Sequence, residues 1–154
     1  FYTQGDYGLF QCARNCSGET YDNERQVREM AGRQKDQRVP SELVPRCPRC
    51  GALMVPNLRV DGTFCEDRGW HEAASRYRAF CEAHSDDRVL YLELGVGDNT
   101  PVIIKYPFWN AVGRNGHATY TCANIGGACA PTTIAGRSIL VDDDIDELIQ
   151  NILV

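Results

Sequence analysis

RVLYLELGVGDNTPVIIKYPFW, residues 88–109, is the stretch on which the fold turns. VLYLEL at 89–94 is a run of branched and aromatic residues suited to a buried strand. The turn Gly95, Val96, Gly97 follows it. Thr100 and Pro101 are residue types favoured at a helix N-cap and first turn, so the spacing predicts a helix from there. Pro107 should end or kink that helix. The unit reads as strand, loop, helix.

Downstream, ATYTCANI (118–125) and RSILV (137–141) read as further strands, and Asp143 or Asp144 can cap a final helix running through Leu153. Strands alternating with helices imply a parallel sheet with right-handed crossovers. Three strands offer no obvious cover for both sheet faces, so further strands are expected upstream. Upstream, Trp70, Ala73, Ala74, Tyr77, Phe80, Cys81 and His84 recur at helical spacing, one apolar stripe that predicts an amphipathic helix on a core. YDNERQVREMAGRQKDQ (21–37) carries Asp22 or Asn23 as a cap and Glu24 in the first turn, which predicts a short solvated helix.

Composition bounds the function. The 154 residues are 43% hydrophobic and 24% charged, ordinary for one folded domain or one lobe of a larger one. A net charge of −5 argues against nucleic-acid binding. No run approaches the roughly 18 to 20 apolar residues of a membrane helix, and FYTQGDYGLFQC lacks the pattern of a signal peptide. A cytoplasmic protein is expected, with no membrane partner. The aromatic start without Met reads as a chain entered within an element, as in a fragment. A shift in composition divides the chain into residues 1–72, rich in Cys, Pro and Gly, and residues 73–154, where strand and helix patterns alternate.

Cys12-x3-Cys16 and Cys47-x2-Cys50 are two knuckles, each offering two thiolates on a tight turn. Disulfides are the poorer reading without a secretory signal. Zinc is expected, with iron as the rarer occupant of a four-cysteine site. Four protein ligands leave no open position, so the metal should be structural. Cys65, Cys81, Cys122 and Cys129 lack paired spacing and read as structural thiols.

Ligands of open α/β sheets gather beyond the carboxyl ends of the strands. That makes Gly95, Val96 and Gly97 candidates for a phosphate or ribose, with Asn124 and Asp142 ending the next two strands. Glycine turns and a strand-end Asn also occur without any ligand.

Together these segments resemble the sirtuin family, in which a four-cysteine zinc module is inserted into a Rossmann fold that binds NAD. The knuckles, NLRVDGTFCED (57–67), LELGVG (92–97) and a strand ending in Asn124 occur in sirtuin order. TQGDYGLFQC, VPSELVPRCPRCG and LELGVGDNTPVIIKYPFW look closest to the class M branch, bacterial and fungal proteins often encoded with macrodomains. The implied fold class is α/β, a partial Rossmann-like parallel sheet with a small four-cysteine zinc-binding module. The resemblance covers only the C-terminal half of a sirtuin. The glycine-rich motif and the rest of the NAD-binding fold would lie upstream.

The family implies NAD as co-substrate, with nicotinamide released and ADP-ribose passed to an acyl-lysine oxygen or onto a protein acceptor. Gly95, Val96 and Gly97 match the sirtuin Gly-Thr-Ser loop, but two hydroxyls are replaced and backbone amides would have to serve. Gln4 stands where sirtuins have the histidine that takes a proton from a ribose hydroxyl. Such general-base help typically contributes about 100- to 10,000-fold, so efficient deacylation is not expected. ADP-ribosyl transfer is the first reading, and lysine deacylation the second. A non-catalytic zinc-stabilised binding module is the third. Arg59, Val60 and Asp61 fall in the matching substrate-strand segment, where an extended acceptor could add a strand. The resemblance also suggests a lipoylated carrier protein as acceptor.

Overall fold

A computed structural model describes residues 1–152. The chain forms two compact units, Phe1–Arg78 and the residues from Ala79 onward.

In the first unit, β1 (Gly5–Cys12) is the centre of an antiparallel sheet between β2 (Thr20–Asp22) and β3 (Met54–Leu58). Gly5 pairs with Leu58 and Asp6 with Asn57, but the next partner of Pro56 is Phe10, so Tyr7, Gly8 and Leu9 bulge from the β1–β3 ladder. Asn23 holds the bulge: its side-chain amide donates to Tyr7 O at 2.7 Å and its N–H to Gly8 O at 3.1 Å. Gly5 has φ +99°, and a Cβ there would lie 1.9 Å from Asn57 O, so no other residue fits.

Helix α1 (Glu24–Arg33) buries no residue, as its polar sequence predicts. Asn23 stands at its N-cap, yet its side chain serves the bulge and makes no cap hydrogen bond. Surface pairs Arg28–Glu24 and Arg33–Glu29 run along the helix at i, i+4. Beneath the sheet, Gln11 and Asn57 form a satisfied buried network with the 63–65 segment. Gln11 Oε1 accepts from Asn57 Nδ2 (2.8 Å) and Cys65 N (2.9 Å), while Gln11 Nε2 donates to Thr63 O (3.1 Å).

α2 (Arg68–Ala83) forms where the apolar stripe predicts it, but it buries none of its residues, and Phe80 is 58% exposed. The expected packing of this stripe on a core is therefore not seen.

In the second unit, β4 (Leu90–Leu94), β5 (Thr119–Ala123) and β6 (Ser138–Val141) make a parallel sheet in sequential order. α3 (Lys105–Arg114) and a 3₁₀ segment at Thr132–Arg137 flank it. Val112, Ala118, Tyr120, Cys122 and Ile134 form its buried core, with Tyr91, Phe108 and Trp109 packed against them. Side chains alternate along a strand, so while Glu93 points into this core, Leu90, Leu92 and Leu94 stay 41 to 58% exposed.

α3 starts at Lys105, later than the Thr100–Pro101 signal implies. Those two residues form a turn instead, with Ile103 N donating to Thr100 O. Pro107 neither ends nor kinks the helix. It sits in the first turn, where a missing N–H is tolerated because that group has no intrahelical partner. α4 (Ile145–Ile152) is capped by Asp144, whose Oδ1 accepts from Asp146 N at 2.8 Å and Glu147 N at 3.3 Å. Leu153 lies outside the described residues. Among the described residues, no helix is long and apolar enough to cross a membrane.

Candidate functional site

The four-cysteine cluster grows from two loops that the backbone ties together. β1 delivers Cys12, and Ala13 N donates to Leu53 O at 3.0 Å, which brings the first knuckle against the second. Asn15 (φ 44°) turns the chain back toward Cys16, and its N–H donates to Cys12 O at 2.8 Å. The second knuckle closes with Gly51 N donating to Cys47 O at 2.9 Å, and Gly51 takes the left-handed conformation (φ 70°) that glycine favours.

The four sulfurs of Cys12, Cys16, Cys47 and Cys50 all lie within 4.8 Å of one another. Two separations, Cys12 to Cys50 and Cys16 to Cys47, are 3.6 Å. Sulfurs around a tetrahedral zinc at about 2.3 Å would be about 3.8 Å apart, so the donor set fits. The backbone N–H groups of Cys16 and Arg14 stabilise the Cys12 thiolate and lower its pKa to about 6. Cys47 is lowered by the N–H groups of Cys50 and Arg49. Cys16 is pushed up to about 12, chiefly by Cys50 and then Cys47. Sulfurs this crowded cannot all ionise alone, and a bound cation relieves that conflict. A four-cysteine cluster able to hold a metal is thus present, with no open coordination position among its four protein ligands.

At the start of the same unit, Gln4 is exposed and its carbonyl accepts from Arg59 N at 3.0 Å. Arg59 Nε donates to Thr3 O (3.2 Å), Nη2 pairs with Glu66 (2.5 Å), and the guanidinium lies 4.1 Å over Phe64. The structure therefore brings Gln4 and Arg59 together. Val60 is 80% exposed beside them. Asp61 is turned inward on its own loop, accepting from the Thr63 hydroxyl (2.6 Å) and N–H (2.7 Å), which together hold its carboxyl below the usual range.

In the second unit, the carboxyl ends of the three strands gather the other candidates. Gly95 (φ 62°) donates its N–H to Ala123 O at 2.9 Å, and a Cβ there would meet Ile145 Cδ1 at 3.0 Å. Asn124 Nδ2 donates to Val96 O at 3.2 Å, locking the glycine turn to the end of β5. Asp142 Oδ1 accepts from Gly126 N at 2.5 Å. Gly97 is exposed on the same turn. Asn124, Ile125, Asp144, Ile145, Asp146 and Ile149 line an open cleft of about 460 Å³ there.

Sequence reading missed the isoleucines of that cleft, because Ile145 and Ile149 look like ordinary core residues of the last helix and Ile125 like the end of a strand. It also missed Glu93 and Lys105, although a carboxylate inside an apolar strand was a visible signal. Of the unpaired cysteines, Cys65 and Cys122 are buried, and burial raises both thiols. Cys129 is exposed.

Fold and site define an α/β protein with a parallel three-strand sheet and a four-cysteine cluster able to hold a metal. Its relatives carry the matter further. A Staphylococcus aureus (strain Mu50 / ATCC 700699) protein named "Protein ADP-ribosyltransferase" is 40% identical over 154 residues, 99% of this chain and 49% of that protein. A Fusarium oxysporum f. sp. cubense protein named "Probable bifunctional ADP-ribose hydrolase/ADP-ribosyltransferase" is 28% identical over 119 residues, 73% of this chain and 20% of that protein. The chain thus spans about half the length of the first relative and a fifth of the second. No family model matches it.

Proposed function

We propose that this chain is part of an NAD-dependent protein ADP-ribosyltransferase of the sirtuin type, acting in the cytoplasm. The observation that carries the reading is 40% identity to a protein ADP-ribosyltransferase along 99% of the chain. NAD is the donor. Its nucleotide would lie at the carboxyl edge of β4, β5 and β6, held by the backbone amides of Gly95, Val96 and Gly97. Asn124 and Asp142 act there by fixing the loops, since their side chains already bond to Val96 and Gly126. The bare leucines of β4 support a fold completed by the upstream half of the NAD-binding layer, because parallel sheets bury both faces.

Gln4 has an amide that can donate and accept but cannot take a proton. It would orient a ribose or acceptor hydroxyl while nicotinamide leaves, which suits transfer to a protein better than deacylation. The acceptor is a protein, for which a lipoylated carrier is the first candidate, and it would pass along Arg59, Val60 and Asp61. Zinc, held by Cys12, Cys16, Cys47 and Cys50, keeps that surface folded and takes no part in the chemistry.

The test uses NAD labelled in its adenylate, with a lipoylated carrier protein in one reaction and an acetyl-lysine peptide in another. Label should pass to the carrier, the peptide should stay acetylated, and Gln4→Ala should slow transfer about 100-fold. Deacetylation outpacing transfer would reject the reading.

A further inference from the structure

Glu93 and Lys105 stand on either side of the glycine turn, one in β4 and the other opening α3. Their side chains meet in the core beneath it, 0% and 1% exposed, with Lys105 Nζ 2.5 Å from Glu93 Oε1. Two further donors reach the carboxylate: Tyr120 OH to Oε2 at 2.9 Å and Cys122 Sγ to Oε1 at 3.3 Å. Lys105 Nζ also lies 4.0 Å from Asp98 Oδ1, on the turn itself, and 5.8 Å from the centre of the Trp109 ring.

A well-packed apolar pair could fill this space with no desolvation penalty, and replacing a buried ion pair in that way is often neutral or stabilising. What an ion pair adds is direction, because only one arrangement satisfies both charges. The turn above needs such direction. Val96 and Gly97 have no hydroxyl to bond a phosphate or ribose, so any ligand depends on where the backbone amides point. Two other bonds anchor the start of the turn, Gly95 N to Ala123 O and Asn124 Nδ2 to Val96 O. The Glu93–Lys105 pair anchors its far end to its near end.

We propose that Glu93 and Lys105 are positioning residues for the nucleotide loop 95–104, an ion pair that sets its amides for NAD without touching it. This rests on the reading that the loop holds NAD.

The experiment compares the unaltered protein with K105M, K105R and the double variant E93M/K105M. Hydrogen exchange of the 95–104 amides is read without NAD, alongside thermal midpoint, NAD affinity and kcat. Loop exchange should rise about tenfold in K105M and in the double variant, and NAD affinity should weaken about tenfold with kcat at saturation nearly unchanged. The double variant should recover the thermal midpoint that K105M loses, but not NAD affinity, and K105R should restore part of it. Wild-type loop exchange in K105M, or wild-type affinity in the double variant, overturns the proposal. Raised loop exchange in a protein whose unaltered form does not bind NAD would instead overturn the nucleotide reading.

Discussion

At the scale of single residues, Gly5 is the most tightly constrained of the described glycines. Its φ of +99° is closed to side chains, and an added Cβ would overlap Asn57 O at 1.9 Å. Gly5→Ala should therefore lower stability by about 3 kcal/mol or more, read as a fall in thermal midpoint. Asp61 gives a milder test. Thr63 bonds its carboxylate and holds its pKa below the ordinary value. The stabilisation from this turn is therefore present above the usual carboxylate pKa and is lost as pH falls through the lowered one. Thr63→Val should move the Asp61 titration, followed by carboxyl-carbon NMR, back up toward the ordinary value. The four clustered cysteines were legible as residues because the spacing within each pair, three residues in Cys12–Cys16 and two in Cys47–Cys50, is local. The Gln11–Asn57–Cys65 network was not, since it joins positions 46 and 54 residues apart and no periodicity points to it.

At the scale of elements, strands were easier to read than helix starts. Branched residues mark β4, β5 and β6 wherever they pack, whereas α3 begins where Lys105 reaches Glu93, a tertiary partner that local propensity does not contain. Thr100 and Pro101 have the residue types of a helix start and form a turn. α4 is the opposite case: of the two expected caps, Asp143 and Asp144, Asp144 is the one observed. Asp144→Ala should destabilise that helix by about 1 kcal/mol, seen as faster hydrogen exchange over 145–150 with little change in β1–β3. The two knuckles also form an element only jointly. Loading the cluster with zinc and then stripping it with a chelator should loosen 12–16 and 47–53 before the parallel sheet, and hydrogen exchange before and after chelation reads that order.

At the scale of the whole molecule, the second unit departs from what a parallel sheet requires. One face of β4–β5–β6 lies against α3 and the 3₁₀ segment, while Leu90, Leu92 and Leu94 remain 58%, 48% and 41% exposed, with Ile139 at 54%. The alternation that places Glu93 inside places these leucines outside, so the strand is built for two layers. The sequence showed this in outline, as three strands without cover for both faces. It could not show which residues would be bare, because VLYLEL is apolar at both parities except for Glu93. An apolar face of this extent seeks a partner in water. The 154-residue chain, isolated, should therefore self-associate as its concentration rises, and sedimentation velocity would detect it. Leu92→Lys places a charge midway along β4 on this face without touching the core around Tyr120. It should reduce that association by about tenfold or more and leave the thermal midpoint nearly unchanged. Equal association in both proteins would mean that this face is not what draws copies together, and the exposed Phe80 side of α2 would be the next surface to alter.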